Sequence, residues 1–199
     1  MKTSMASMGL IALGFVVSTG AAAQGAGGAS PDPACVSRPD CRFIGSVTIR
    51  TDQGVKTPAL NRNMPFLRTK DGRSRLWLVL GERVDFRLGG PGEPPITILA
   101  HGPVTDPEKS KEDLKDKVEI EFAQMANSTG TNLTVRNGYG RQLQYKAFLL
   151  AQNGEEKPTS TCPVRPGIFS FENWQGPLLE IELADFQLVD AESNSVVCK

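Results

Sequence analysis

Histidine is almost missing from this chain of 199 residues: His101 is the only one. That excludes the common nucleophile–base pairings, because Ser-His-Asp and Cys-His catalysis both need an imidazole beside the nucleophile. His101 closes the run ITILAH and reads as a polar residue at a strand end. Net charge is missing too, with 22 Lys and Arg against 22 Asp and Glu, mixed along the chain. Such a balance gives no basic footprint for nucleic acid or an anionic membrane surface. No cysteine pair has the C-x-x-C spacing of a metal site and no histidines cluster, so no metal ligands are expected. Phosphate cradles are absent as well. GGPGEPP (Gly89 to Pro95) has glycines, but its prolines remove backbone donors and no Lys-Ser/Thr follows, which leaves a turn and no cofactor site.

Long apolar runs are also lacking. The N-terminal stretch MGLIALGFVV (Met8 to Val17) falls short of the roughly 18 residues that span a bilayer. With Lys2 before it and Ala21-Ala22-Ala23 after it, the stretch reads as a signal peptide over residues 1–23. DPAC before Cys35 lacks the residues of a lipoprotein cleavage site. The expected product is periplasmic or secreted, and its 176 residues suffice for one domain over 35–199 behind a flexible leader at 24–34. Two sequons, at Asn127 and Asn132, are short patterns that arise by chance.

Cysteine is scarce but even in number: Cys35, Cys41, Cys162 and Cys198. In an exported chain four cysteines imply two disulfides with three possible pairings. Cys35–Cys41 and Cys162–Cys198 are the favoured pairs. The first closes a short loop and is worth about 2.4 kcal/mol of chain entropy, the second a much longer one worth about 4 kcal/mol.

What the chain does have is alternation. FIGSVTIR places Phe43, Val47 and Ile49 on one face, and RLWLVL (Arg75 to Leu80) is apolar on both, as in a central strand. RVDFRL alternates, and KVEIEF sets Val118, Ile120 and Phe122 inward with Glu119 and Glu121 toward solvent. NLTVR and RQLQYKAFLL flank NGYG (Asn137 to Gly140), which predicts a hairpin. In LLEIELADFQLV the apolar phase slips between Leu183 and Phe186, which predicts a bulge near Ala184-Asp185. SVVC adds a final edge strand, and TDPEKSKEDLKDK, capped by Asp106 with Pro107 behind it, gives one short charged helix or loop. Eight to ten short strands predict an antiparallel β-sandwich of immunoglobulin-like type, with a small β-barrel as the alternative.

TCPVRPGIFSFENWQGP (Thr161 to Pro177) is the one apolar loop, its prolines and glycines arguing against a regular strand. Ile168, Phe169, Phe171 and Trp174 are expected to fold back as a plug over the end of the sandwich, with Trp174 the most exposed of them. The rival reading makes Phe169, Phe171 and Trp174 a contact surface for a partner. Glu172, Asp185 and Asp190 lie near this loop or the strand after it, but nothing in the sequence pairs them across a cleft as a glycosidase requires.

TSTCPVRPGIFSFENWQGPLLEIELADFQL, with CRFIGSVTI and VRNGYGRQLQYKAFLL, resembles a group of small exported proteins of Gram-negative bacteria that has no established function. The resemblance implies a periplasmic β-sandwich and a local Cys35–Cys41 pairing, and supplies no catalytic residues. The function expected is that of an exported non-catalytic domain binding a protein or envelope component. The alternatives are a carboxylate-dependent enzyme acting on envelope polysaccharide and a carbohydrate-binding module, although two Trp and two Tyr are few for the latter.

Overall fold

The computed structural model describes residues 30–104, 114–151, 154–190 and 198. The expected signal peptide, the charged helix or loop near Asp106 and all of SVVC but Cys198 lie outside those residues. The described chain starts with a one-turn helix, α1 (Pro33–Val36), capped by Asp32, whose carboxylate accepts from the amide of Ala34. Next come β1 (Cys41–Ser46), β2 (Ile49–Thr51), β3 (Gly54–Lys56), β4 (Ala59–Pro65) and β5 (Leu67–Lys70). The following four are β6 (Arg73–Val79), β7 (Glu82–Leu88), β8 (Ile96–Pro103) and β9 (Val118–Gln124). Then come β10 (Thr131–Asn137), β11 (Gln142–Leu150), β12 (Glu156–Thr159), β13 (Phe169–Trp174) and β14 (Glu180–Val189).

Ten of these strands form two antiparallel five-stranded sheets, ordered β12-β11-β14-β6-β5 and β13-β10-β9-β7-β8. The sheets pack face to face, so the fold is an all-β sandwich. The core takes Leu76, Leu78, Ile181 and Leu183 from the first sheet and Phe86, Ile120, Phe122 and Leu133 from the second. Each such side chain contributes about 1.5–3 kcal/mol on burial. Phe186 meets Phe86 edge-on across the interior, ring centroids 5.1 Å apart. It gets there through the predicted bulge: Gln144 pairs with Gln187 but Lys146 with Ala184. Asp185 supplies the bend at φ +54°, a conformation that Asp tolerates better than most residues.

The hairpin expected at NGYG does not form. β10 pairs with β9 and β13, β11 with β12 and β14, so the chain crosses between sheets at this point. The Asn-Gly pair serves the crossing instead. Buried Asn137 donates its amide to the carbonyls of Arg141 and Val164 and accepts from the amide of Tyr139. A Cβ on Gly138 would lie 1.6 Å from the carbonyl oxygen of Leu114, so the backbone can approach only because that atom is missing. FIGSVTIR is also interrupted, ending as β1 at Ser46 and resuming as β2 at Ile49. β2 pairs with β3 as a small sheet of its own, and β1 pairs with β4 as a two-stranded ribbon outside the five-stranded sheets.

Arg42 ties that ribbon to the core. Its Nε and Nη2 donate to the two oxygens of Glu82, both at 2.6 Å. Its Nη1 donates to the carbonyls of Met64 and Pro65, and Nη2 also reaches the carbonyl of Trp77. The guanidinium lies 3.8 Å from the ring centre of Phe66. Glu82 accepts in addition from the amide of Val79 across the β6–β7 turn.

Both favoured disulfides are present, Cys35–Cys41 and Cys162–Cys198. Paired serine substitution should cost about 4 kcal/mol at Cys162/Cys198 and about 2.4 kcal/mol at Cys35/Cys41, and urea unfolding of the two variants gives the order. Arg42→Met leaves Glu82 without its partner in a mostly dry site, so a loss of about 3–5 kcal/mol is expected in the same measurement. A loss under about 1 kcal/mol would show that the clamp does not hold the ribbon.

Candidate functional site

The apolar stretch becomes an edge strand. Among the described residues, 169–174 of β13 pair with β10 on one side only, from Phe169 opposite Arg136 to Trp174 opposite Thr131. The alternation of a strand then sorts its side chains. Ser170, Glu172 and Trp174 turn inward, where Trp174 packs on the core and its indole Nε1 donates to Oγ1 of Thr159 at 3.0 Å. Phe169 and Phe171 turn outward, each 54% exposed, with ring centroids 4.9 Å apart, and Ile168 is exposed beside them. The plug reading is overturned. Of the four apolar residues expected to fold over the end, three face solvent, and Trp174, expected to be the most exposed, is the one that packs inward.

The three carboxylates near this stretch are held separately. Glu172 accepts from the amide of Cys162 at 2.8 Å, and burial holds its carboxyl above the ordinary glutamate value. Asp185 accepts from Lys146 and Arg73, and the bond from Lys146 leads in holding its carboxyl low. Asp190 pairs with Arg141 at the surface. Glu119, expected in solvent, is only 1% exposed: Arg83 and Arg136 clamp it on the outer face of the second sheet. Burial raises its carboxyl and the two guanidinium groups oppose the rise. Glu121 beside it is half-buried.

A second region left only a faint mark in the sequence. Trp77 lies on the outer face of the first sheet, where a cleft of about 540 Å³ opens between β4, β5 and the facing ends of β11 and β12. RLWLVL marks Trp77 as core, and 8% exposure agrees, yet its indole ring forms part of the cleft wall. Arg68 stacks on the ring at 3.8 Å and donates to Glu182, which also accepts from Arg75. Arg75 continues to Glu156, and Lys70 donates to the other Glu156 oxygen. Trp77 Nε1 donates to Glu180, whose other oxygen accepts from Arg62. Burial alone would raise the Glu156 carboxyl, but the bonds from Lys70 and Arg75 outweigh it and hold the group low. It is thus an ionised acceptor at neutral pH and not a proton donor. The only sequence signal for this cleft was Glu180 and Glu182 alternating with apolar residues in a long strand.

No family model, curated protein or solved structure matches this chain.

One titration follows from the edge. Glu172 has a raised folded value, so between the ordinary 4.5 and that value the folded state binds more protons than the unfolded one. Stability accordingly falls as pH rises through this window, and the cost persists above it. Glu172→Gln keeps an acceptor for Cys162 and removes the charge. The variant should melt higher than the parent at pH 7 and level with it at pH 4, and an equal offset at both would refute the assignment.

Proposed function

We propose that this chain is an exported, non-catalytic binding domain that takes an extended segment of a protein partner along β13, with Phe169 and Phe171 as the contact. The observation that carries the reading is the exposed phenylalanine pair on a strand whose outer backbone edge has no partner strand among the described residues. The other edges of the two five-stranded sheets are guarded: β12 contains Pro158, β5 is four residues long with two cations, and β8 is bulged opposite Asp85 and Phe86. β13 has no proline and no lysine, and its one carboxylate is turned inward to Cys162. An edge of this kind supports strand addition, in which the backbone supplies affinity and outward aromatics supply selectivity. Export is supported by two disulfides, which persist in oxidising compartments, and by the N-terminal pattern of Lys2, a short apolar run and three alanines.

The test is crosslinking in the native envelope, followed by binding of a synthetic peptide covering the crosslinked segment. Phe169→Ser with Phe171→Ser removes the contact without touching the core, whereas substituting Trp174 would damage packing. The double variant should keep its melting temperature and bind the peptide roughly 30-fold more weakly, the scale of a binding hot spot. An adduct formed equally well by the double variant would sink the reading.

A further inference from the structure

We infer that the Trp77 cleft is a binding site for a sugar acid, a hydroxyl-rich ligand with a single carboxylate, separate from the β13 edge. The volume of about 540 Å³ is in the range of small-molecule sites and admits one or two sugar rings. Its donors exceed its acceptors. Arg62 and Arg68 each have five N–H groups and Lys70 three, yet each of the three makes one side-chain hydrogen bond among the described residues. All three are more than two-fifths exposed at the mouth, at 44%, 43% and 47%. The carboxylates lie deeper, with Glu182 only 2% exposed and both of its oxygens already engaged. A ligand entering from solvent therefore meets solvent-facing N–H groups first, and its acceptors can replace the water on them.

Charge narrows the choice. Arg62, Arg68, Lys70 and Arg75 face Glu156, Glu180 and Glu182, and Asp71 reaches Arg75 from outside at 3.4 Å. That near-neutral network offers little to a dianion such as phosphate, whose strong sites need uncompensated cations. A monoanion with many hydroxyls suits it better: the carboxylate takes a planar guanidinium fork, and hydroxyls bridge the remaining donors and carboxylate lone pairs. Leu60, Leu150 and Leu179 give the cleft an apolar wall for the C–H face of a sugar ring. Trp77 does not stack on the ligand, because Arg68 already covers its ring at 3.8 Å. It is a positioning residue that holds Arg68 over the opening.

The experiment titrates the oxidised protein with three probes: a glucuronate-containing disaccharide, a neutral glucose disaccharide and inorganic phosphate. Calorimetry measures affinity, and tryptophan fluorescence reports movement at Trp77. Saturable binding of the acidic disaccharide is expected, with the neutral sugar and phosphate each at least about tenfold weaker. Arg62→Gln should weaken the acidic sugar at least about tenfold without lowering the melting temperature by more than a few degrees. Arg68→Gln should do the same and also change the fluorescence; since it unpairs buried Glu182, Arg62→Gln is the deciding variant if it fails to fold. Absence of saturable binding overturns the assignment, as does equal affinity for the neutral sugar or phosphate, or an Arg62→Gln protein that binds like the parent.

Discussion

The guanidinium of Arg42 is the point on which the rest of the architecture depends. Its hydrogen bonds reach Glu82, the carbonyls of Met64 and Pro65 and the carbonyl of Trp77, so one planar group joins β1, β4, β6 and β7. Among the described residues no backbone ladder does this, because β1 and β4 form a two-stranded sheet with each other. A flexible cation could not replace it, since only a rigid fork presents its donors in one plane to carbonyls and a carboxylate together. Cys41 immediately precedes it, and the short Cys35–Cys41 loop fixes the direction from which β1 enters. The clamp also sets the cleft: the carbonyl it holds on Trp77 orients β6, and those on Met64 and Pro65 orient the strand that carries Arg62.

Charge is used the same way at the centre of each sheet. β9 and β14 are the middle strands of their sheets, and each turns a buried glutamate outward: Glu119 between Arg83 and Arg136, Glu182 between Arg68 and Arg75. Such ion pairs add little net stability, because desolvation offsets most of the attraction. They do penalise error. A slip of one residue in either middle strand would drive a carboxylate into the apolar interior and leave its arginines unmatched. The sandwich thus holds register from both sides, by apolar packing within and by paired charge without.

This explains what the sequence could and could not reveal. Period-two alternation exposes which residues point inward, and so Val118, Ile120 and Phe122 were legible, as was the bulge at Asp185, where the period slips. The two disulfides present are the pairs favoured among the three that four cysteines allow. Alternation says nothing about what covers the outer face, so Glu119 read as solvated and Trp77 as plain core. Guanidinium groups that cover Glu119 and Glu182 come in part from strands that do not adjoin theirs in the chain, such as Arg83 on β7 and Arg68 on β5. NGYG misled for a similar reason: Asn-Gly signals a tight turn locally, whereas here the glycine is required by the backbone at Leu114, a partner outside any local window.

The apolar stretch shows where direction and identity separate. Once residues 169–174 pair with β10, the inward places belong to Ser170, Glu172 and Trp174, and residues 169 and 171 must face out whatever they are. Strand geometry accounts for their orientation but not for their being phenylalanine. A polar residue at either place would lose no core contact and would guard the edge better. Instead two rings lie edge to face in solvent, keeping apolar area that folding itself leaves unused. Packing within the described residues leaves that area exposed, so the pair supports the proposed binding reading and adds nothing to the fold.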